Sequence, residues 1–410
     1  MKSASMVFLL FASLLVACSG DDEPDVLEAP PATSATAAPE ASATQVAQAP
    51  SPSPAPVAPA PEPTPAASPT SAPDAGLAAL SLVYIDTSRG QGGDVYIAAA
   101  DGANPRLVTS EAAFSRPLDV RGSTLAAAGT GGVLFIDLVS GEPSYVNETN
   151  IVFDGRFFDA GIFLYSLSGS CTQGGGALHR VELPAQEVVE LVTSDRSLTI
   201  AGIDLSTNTV TLLPRGCDVG VDQLDVYDAL TGQLRNTLAV VGCGWAVAAP
   251  QHNKAVVSWQ ACTPPFEHEG ADATVYDFGI VGPTGHDVTA PDQGSNAAMW
   301  LPRPNAPQVA LGTTTTAGGG PGGERGAGIY LLDLTDRQFT RLVEGEGAEQ
   351  FPVAWSPDGR YLLYAIVEAQ GLCRFAYVDA QAPGAGPSAI DPAVTFCGVN
   401  GIVVGWTELP

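Results

Sequence analysis

The chain has few basic residues and lacks the motifs on which several common enzyme classes depend. Its 410 residues include 17 Lys and Arg against 44 Asp and Glu, a formal net charge of −27. Binding to nucleic-acid phosphates needs clustered Lys and Arg, so this balance argues against a nucleic-acid partner. The serine-hydrolase motif GxSxG, the zinc-protease motif HExxH, the phosphate-binding motif GxxxxGK(S/T) and an EF-hand loop are all absent from the sequence. These absences favour a protein that is not an enzyme and has no cofactor.

Long hydrophobic runs are scarce, and the clearest one lies at the start of the chain. Lys2 precedes an apolar run over residues 6–17, which is too short to span a bilayer as a mature helix. The run ends in Leu-Val-Ala-Cys at 15–18, which resembles the lipobox of bacterial lipoproteins. That resemblance implies a signal peptide at 1–17 and a lipid on Cys18 that anchors the chain to a membrane. Ser19 after the cysteine favours the outer membrane of the cell envelope, and the alternative is an ordinary signal peptide with a chance cysteine.

Residues 18–79 consist almost wholly of Ala, Pro, Ser, Thr and scattered acidic residues. Pro occurs at nine positions between 50 and 69, which excludes a regular helix or strand there. Such a segment cannot bury enough apolar surface to offset its ordering entropy, so we predict a disordered tether. From Leu80 onward 16 basic and 36 acidic residues remain, so the folded part is strongly acidic as well.

Residues 80–410 have a different texture, in which short apolar runs alternate with Gly, Pro, Asn and Asp. The clearest example is residues 350–364, where two apolar runs flank the tetrapeptide Ser-Pro-Asp-Gly at 356–359. Pro357 presets φ for the second turn position, and Gly359 accepts a positive φ without steric cost. This stretch therefore predicts a β-hairpin.

A related turn recurs along the chain, between a strand that ends in an acidic or small residue and a short outer strand. It occurs in seven stretches, at 98–108, 137–146, 183–192, 228–238, 282–288, 333–342 and 379–389. This repeat predicts an all-β protein, a β-propeller of seven four-stranded blades over residues 80–410, with six or eight blades as alternatives. The first blade shows only three strands, and residues 401–406 match the inner strand at 351–355. We therefore predict that the C-terminal strand closes the ring by pairing into the first blade, which removes exposed sheet edges.

The hairpin at 351–367 resembles the WSPDG signature of TolB-like and related WD-type β-propeller repeats, and residues 94–109 and 328–343 are similar. The resemblance covers about three of the predicted blades and implies an envelope protein that binds other proteins through a propeller face. The chain departs from TolB in two respects, because it has a Pro-rich tether in place of an α/β domain and seven predicted blades in place of six.

Six cysteines follow Cys18, namely Cys171, Cys217, Cys243, Cys262, Cys373 and Cys397. An even number in an exported chain, without any CxxC pair, predicts disulfides rather than a metal site. The propeller register places 171, 217, 262 and 373 in loops between second and third strands, and 243 and 397 in connections between blades. All six then lie on one face. The nearest partners are 243 with 262, 373 with 397 and 171 with 217, although fifteen connectivities exist.

Four histidines are the remaining candidates for chemistry, His179, His252, His268 and His286. His268 lies between Glu267 and Glu269, and two carboxylates beside an imidazole are metal-ligand types. Adjacent side chains on an extended chain point apart, so we predict a solvated loop and no metal site.

These features together predict a lipid-anchored, non-catalytic β-propeller of the cell envelope. Its partner is an envelope protein or a glycan, bound on the face that carries the cysteines, and the lipid on Cys18 attaches it to the membrane. One alternative is a metal-assisted hydrolase or lyase that works in the propeller channel. Another is a structural protein that stabilises the cell surface without a ligand.

Overall fold

The computed structural model describes residues 75–86, 93–112, 114, 116–129, 131–159, 161–168, 175–215, 220–243, 246–259, 273–279, 282–289, 297–313, 328–345, 349–367, 373–390 and 401–409. These residues form 28 β-strands, one short α-helix, α1 (Ala75–Ala78), and two 3₁₀ turns, Pro250–His252 and Pro383–Ala385. The strands make seven four-stranded antiparallel sheets. The predicted signal peptide, Cys18 and the tether as far as residue 74 lie outside the described residues. Within that described part, no helix is both long and apolar enough to cross a membrane.

Each sheet is one blade, and we name its strands A to D from the axis of the ring outward. The strands of blades one to four are, in that order, β28 (Gly401–Thr407), β1 (Ser81–Asp86), β2 (Gly93–Ala99), β3 (Arg106–Ala112); β4 (Arg116–Arg121), β5 (Thr124–Gly129), β6 (Gly132–Asp137), β7 (Pro143–Asn147); β8 (Ile151–Phe157), β9 (Ile162–Ser168), β10 (Gly176–Glu182), β11 (Glu187–Ser194); and β12 (Ser197–Asp204), β13 (Thr209–Arg215), β14 (Gly220–Asp228), β15 (Leu234–Cys243). Those of blades five to seven are β16 (Ala246–Ala249), β17 (Lys254–Ser258), β18 (Ala273–Gly279), β19 (Gly282–Val288); β20 (Ala297–Pro302), β21 (Gln308–Thr313), β22 (Gly328–Asp333), β23 (Phe339–Glu344); and β24 (Glu349–Trp355), β25 (Tyr361–Val367), β26 (Cys373–Asp379), β27 (Ser388–Ala389).

The A strands form the inner wall of a closed ring, because each contacts the A strands of both neighbouring blades. The last strand of the chain completes this ring: β28 pairs antiparallel with β1, from Thr407 opposite Ser81 to Gly401 opposite Asp86. The indole of Trp406 donates a hydrogen bond to the carbonyl of Ala100 at 3.0 Å. The predictions of a seven-bladed propeller and of closure by the C-terminal strand are both confirmed.

Apolar side chains fill the joints between the blades rather than a single central core. Seven buried clusters occur, one for each pair of neighbouring blades. At the joint of blades two and three, the rings of Phe135 and Phe163 meet edge to face with centroids 5.3 Å apart. The B and C strands are consequently buried on both sides, which explains why their sequences show apolar runs with imperfect alternation.

The recurring turn of the sequence is the connection between the C and D strands. Five C strands end in an acidic residue, namely Asp137, Glu182, Asp228, Asp333 and Asp379. In four of these turns the residue four positions later has a positive φ and donates its backbone N–H to the carbonyl of that acidic residue, namely Gly141, Gln186, Gly232 and Arg337. The carboxylate of Asp137 also accepts the N–H groups of Val139 and Ser140, at 2.9 and 2.7 Å. These bonds hold the pKa of Asp137 below its usual value, and they explain why acidic residues mark the repeat.

The Ser-Pro-Asp-Gly stretch forms the predicted hairpin turn between β24 and β25. Ser356 is fully buried, its hydroxyl donates to Asp358 at 2.5 Å, and the N–H of Tyr361 donates back to that hydroxyl at 2.8 Å. Gly359 has a φ of +72°, and a Cβ there would lie 2.8 Å from the carbonyl oxygen of Pro304 in blade six. The turn therefore needs glycine both for its backbone conformation and for contact with the next blade.

One stretch predicted to contain a turn is wholly extended. Residues 282–288 form β19, which pairs with β18 along its whole length. Gly285 lies opposite Tyr276, and a Cβ on this glycine would come 3.1 Å from the Tyr276 ring. A glycine that lets a cross-strand ring lie close to the backbone is compatible with a strand, and the sequence pattern alone does not distinguish it from a turn glycine.

Candidate functional site

The antiparallel order of each blade sends its strand ends to two opposite faces of the ring. We call the face with the A–B and C–D turns the AB face, and the face with the B–C loops and the connections between blades the BC face. Cys243 is the last residue of β15 and Cys373 is the first residue of β26, so both strand ends lie on the BC face, as predicted. Cys171, Cys217, Cys262 and Cys397 lie outside the described residues, and all the disulfide pairings stay predictions.

Charge on the inner wall is concentrated in two neighbouring blades. The A strands of blades two and three carry five charged residues, Arg116, Asp119, Arg121, Asp154 and Arg156. The A strands β16, β20 and β28 carry none, β12 ends in Asp204 and β24 begins with Glu349. None of these five residues was identified from the sequence, and together they form the candidate functional site.

A short sequence repeat places these residues. Leu-Asp-Val-Arg at 118–121 and Phe-Asp-Gly-Arg at 153–156 share the pattern of an apolar residue, Asp, any residue and Arg. In both strands a β-bulge lies immediately before the Asp, at Pro117/Asp119 and at Val152/Asp154. A bulge redirects the side chains that follow it, and here it points the two carboxylates toward neighbouring blades. This repeat is the signal in the sequence that could have revealed the site.

Both aspartates bind backbone N–H groups of the inner wall. Asp119 accepts from Val120 in its own strand and from Phe157 in blade three, each at 2.8 Å. Asp154 does the same with Gly155 at 2.8 Å and with Ile200 in blade four at 3.2 Å. Burial raises the pKa of Asp119, while the charge of Arg156 and the backbone bonds oppose that rise. The two carboxylates therefore link the innermost strands of blades two, three and four.

The arginines cross between the same strands and donate to carbonyl oxygens. Arg156 donates through Nη1 to Leu118 of blade two at 2.9 Å, and its side chain is 47% exposed. Arg121 donates through Nη1 to Phe158 of blade three at 3.2 Å. The carboxylate of Asp154 lies 3.5 Å from Arg156 and raises the pKa of that guanidinium. Both arginines lie toward the AB face, because β4 and β8 run from the BC face to the AB face.

At the BC face the mouth of the channel combines apolar, aromatic and cationic groups. Ile151, the first residue of β8, is 77% exposed, the largest exposure among large apolar side chains in the described residues. The guanidinium of Arg116 lies 5.7 Å from the ring centroid of Phe153 and donates to the carbonyl of Val152 at 3.3 Å. Ile151 directly precedes the two residues that hold Arg116, and arginine is among the residue types enriched at the centres of protein-binding surfaces.

A buried polar network at the joint of blades two and three involves one of the predicted histidines. The hydroxyl of Tyr165 donates to Glu148, and Nδ1 of His179 lies 2.9 Å from the same carboxylate oxygen. Glu190 lies 3.6 Å from Nε2 of His179. Burial, followed by the bond to Glu148, raises the pKa of Tyr165 well above its ordinary value. Glu148 connects blades two and three, so this network fastens the connection to the next blade.

Neither of the two other described histidines belongs to an A strand. His252 belongs to a 3₁₀ turn (Pro250–His252) and His286 to β19, while Glu267, His268 and Glu269 lie outside the described residues. In the stretches that the structure describes, no group of three His, Cys, Asp or Glu side chains is arranged to hold a metal ion.

Comparison with known proteins supports the fold and does not extend to a family. No family model matches the chain, and no curated protein matches it in sequence. Among solved structures, a candidate 6-phosphogluconolactonase from Bacteroides fragilis is 11% identical, with a TM-score of 0.51 over 82% of this chain and 99% of that chain. An oligogalacturonate lyase from Vibrio parahaemolyticus is 11% identical, with a TM-score of 0.50 over 73% of this chain and 86% of that chain.

TolB from Acinetobacter baumannii is also among the similar structures. It is 14% identical, with a TM-score of 0.43 over 81% of this chain and 66% of the TolB chain. A score this low does not establish a shared fold. At identities this low the likeness to the lactonase and the lyase shows the fold alone, and one fold can carry unrelated functions.

Proposed function

We propose that this protein is a non-catalytic, lipid-anchored β-propeller of the cell envelope that binds a partner at the BC-face mouth of its channel. The observation that supports binding is the exposure of Ile151 on the same strand as Val152 and Phe153, which hold the guanidinium of Arg116. Burying such an exposed aliphatic side chain in a complex is favourable, and fixing the arginine in advance lowers the entropic cost of association. An aliphatic contact favours a protein partner over a glycan, which would stack on an aromatic face instead.

A matched pair of variants tests the binding surface. Ile151→Asp puts a charge at the proposed contact, whereas Leu205→Asp puts the same charge on the AB face, at a leucine that is 48% exposed. We expect the full chain and the Leu205→Asp variant to recover the same partner from envelope extract, and the Ile151→Asp variant to lose it. Equal recovery by both variants, or recovery that survives protease treatment and is abolished by glycosidases, would contradict a protein partner at this mouth.

The anchor and the cysteines need separate measurements, because most of the cysteines lie outside the described residues. The lipobox resemblance implies that the intact mass of the mature protein includes a lipid on Cys18, and that Cys18→Ser moves the protein from the membrane fraction to the soluble fraction. Three disulfides imply a mass increase of about six hydrogens on reduction. An unlipidated mature chain, or free thiols at these cysteines, would overturn that part of the proposal.

A second candidate function rests on Asp119, a carboxyl group on the inner wall whose pKa is raised by burial. A raised carboxyl pKa is typical of a general acid, which a metal-assisted hydrolase or lyase would need. Both oxygens of Asp119 already accept backbone N–H groups, so a purely structural role is enough to explain why this carboxylate is on the inner wall. Stoichiometric metal in the purified protein that is lost in Asp119→Asn would favour the enzyme.

A further inference from the structure

Arg121 and Arg156 end the two copies of the Asp-x-Arg repeat, and toward the described residues each donates through Nη1 alone. The Nη1 of Arg156 donates to the carbonyls of Leu118 and Gly155, at 2.9 and 3.1 Å. The Nη1 of Arg121 donates to Phe158. In the described part of the chain, the Nε and Nη2 groups of both arginines have no acceptor.

The burial of the neighbouring charges leaves the positive groups facing the solvent. Arg156 is 47% exposed, whereas its partner Asp154 is 14% exposed. The carboxylate oxygens of Asp119 and Asp154 are turned toward backbone N–H groups of the neighbouring blades. Arg121 of blade two donates to Phe158 of blade three, and Arg156 of blade three donates to Leu118 of blade two, so both guanidinium groups cross the same joint between blades. The cluster is close to neutral overall, but its accessible surface is cationic.

We propose that Arg121 and Arg156 form a binding site for an oxyanion, a carboxylate or phosphate group, at the AB-face mouth of the channel. The Nε–Nη2 edge of a guanidinium presents two parallel N–H groups, which match two oxygens of a carboxylate or phosphate. The bonds at Nη1 hold each side chain in place before a ligand arrives, so less conformational entropy is lost on binding. This site is on the face opposite the proposed partner surface, and it stands or falls independently of that proposal.

The acidic character of the domain makes such a site selective. With 36 acidic and 16 basic residues from Leu80 onward, the surrounding field repels anions in general. An anion is therefore held only where donors are already oriented toward it. A single positive charge without the paired Nε–H and Nη2–H donors would not be enough to bind an anion here.

Side-chain NMR of the full chain tests the site directly. Arginine Nε–Hε signals are followed while inorganic phosphate or succinate is added at constant ionic strength, with chloride as the control. We expect a saturable shift of the Arg156 signal with at least one of the two oxyanions, and the one that binds identifies the preferred group. Shifts that do not saturate, or that chloride reproduces, would overturn the proposal by reducing it to ionic-strength effects.

Substitutions distinguish a site that needs paired N–H donors from one that needs only a positive charge. Arg156→Gln and Arg156→Lys, followed through the Nε–Hε signal of Arg121, are both expected to weaken binding by about tenfold or more, since lysine keeps the charge and loses the paired donors. Arg196→Gln is the matched control, because Arg196 is 39% exposed and pairs with Asp222. Should Arg156→Gln prove unstable, Arg121→Gln serves as the second variant, with a thermal melt to confirm folding. Full binding by folded Arg156→Gln, or by folded Arg121→Gln when it has to replace it, would refute the assignment.

Discussion

The closing strand makes blade one depend on the far end of the chain, and Trp406 is the residue through which this dependence is best tested. Trp406 is 3% exposed, donates its indole N–H to Ala100 and meets the ring of Tyr377 with centroids 6.0 Å apart. Trp406→Phe keeps an aromatic ring but leaves the carbonyl of Ala100 without its donor, a cost of about 1–3 kcal/mol. Trp406→Ala also opens a cavity, for a total of about 3–5 kcal/mol.

The matched control is Trp355→Phe, since Trp355 occupies the corresponding position of blade seven. Its indole donates to the carbonyl of Leu301 at 3.3 Å, and the side chain is 8% exposed. Urea unfolding followed by circular dichroism measures the loss of stability, and hydrogen exchange resolves where it occurs. We expect Trp406→Ala to accelerate exchange in β1 and β2 while leaving β17 unchanged, whereas Trp355→Phe acts at the joint of blades six and seven. Unchanged exchange in β1 for Trp406→Ala would refute the conclusion that this strand holds the first blade closed.

Three further predictions concern turns and buried ionisable groups. Gly232→Ala should destabilise the fold by about 2 kcal/mol or more, because Gly232 has a φ of +71° and a Cβ would lie 2.1 Å from the carbonyl oxygen of Leu191. Arg337 occupies the equivalent turn position with a φ of +63°, so Arg337→Gly should instead stabilise the fold by about 0.5–1 kcal/mol. Equal shifts of the two variants in thermal melts would contradict this prediction. The pKa of Asp137 is lowered in the folded protein, so its contribution to stability is present above the unfolded pKa of about 4 and is lost as pH falls through the folded pKa. The free energy of unfolding should therefore fall less steeply with decreasing pH in Asp137→Asn than in the wild type. Burial and then Tyr96 raise the pKa of Tyr84 to about 12, so its contribution to stability should persist below pH ~10 and disappear as pH rises through about 12. In an alkaline absorbance titration, the late phenolate step should be smaller by one tyrosine in Tyr84→Phe than in the wild type, and a step of equal size would contradict this assignment.

The all-β class and the closure of the ring could be predicted from the sequence, which also favoured seven blades over six or eight. These follow from local chemistry that repeats along the chain: acidic residues that bind turn N–H groups, glycines at positive φ, and apolar runs of strand length. Gly359 shows why this works, because the positive φ of its turn can be predicted from the neighbouring Ser-Pro-Asp alone, before its contact with the next blade is known. The match between residues 401–406 and 351–355 identified the closing strand by the same logic, since equivalent positions of a repeat have equivalent neighbours.

Only the tertiary structure decided which side chains meet on the inner wall. Asp119 contacts Phe157, and Arg156 contacts Leu118, because bulges in two strands redirect these side chains across a joint between blades. A bulge changes the direction of a side chain without a reliable mark in the sequence. The network of Glu148 with His179 likewise requires that the connection after blade two lie against the face of blade three. Turn chemistry is local and can be read from the sequence, whereas contact between distant charged groups depends on how the blades are placed around the axis.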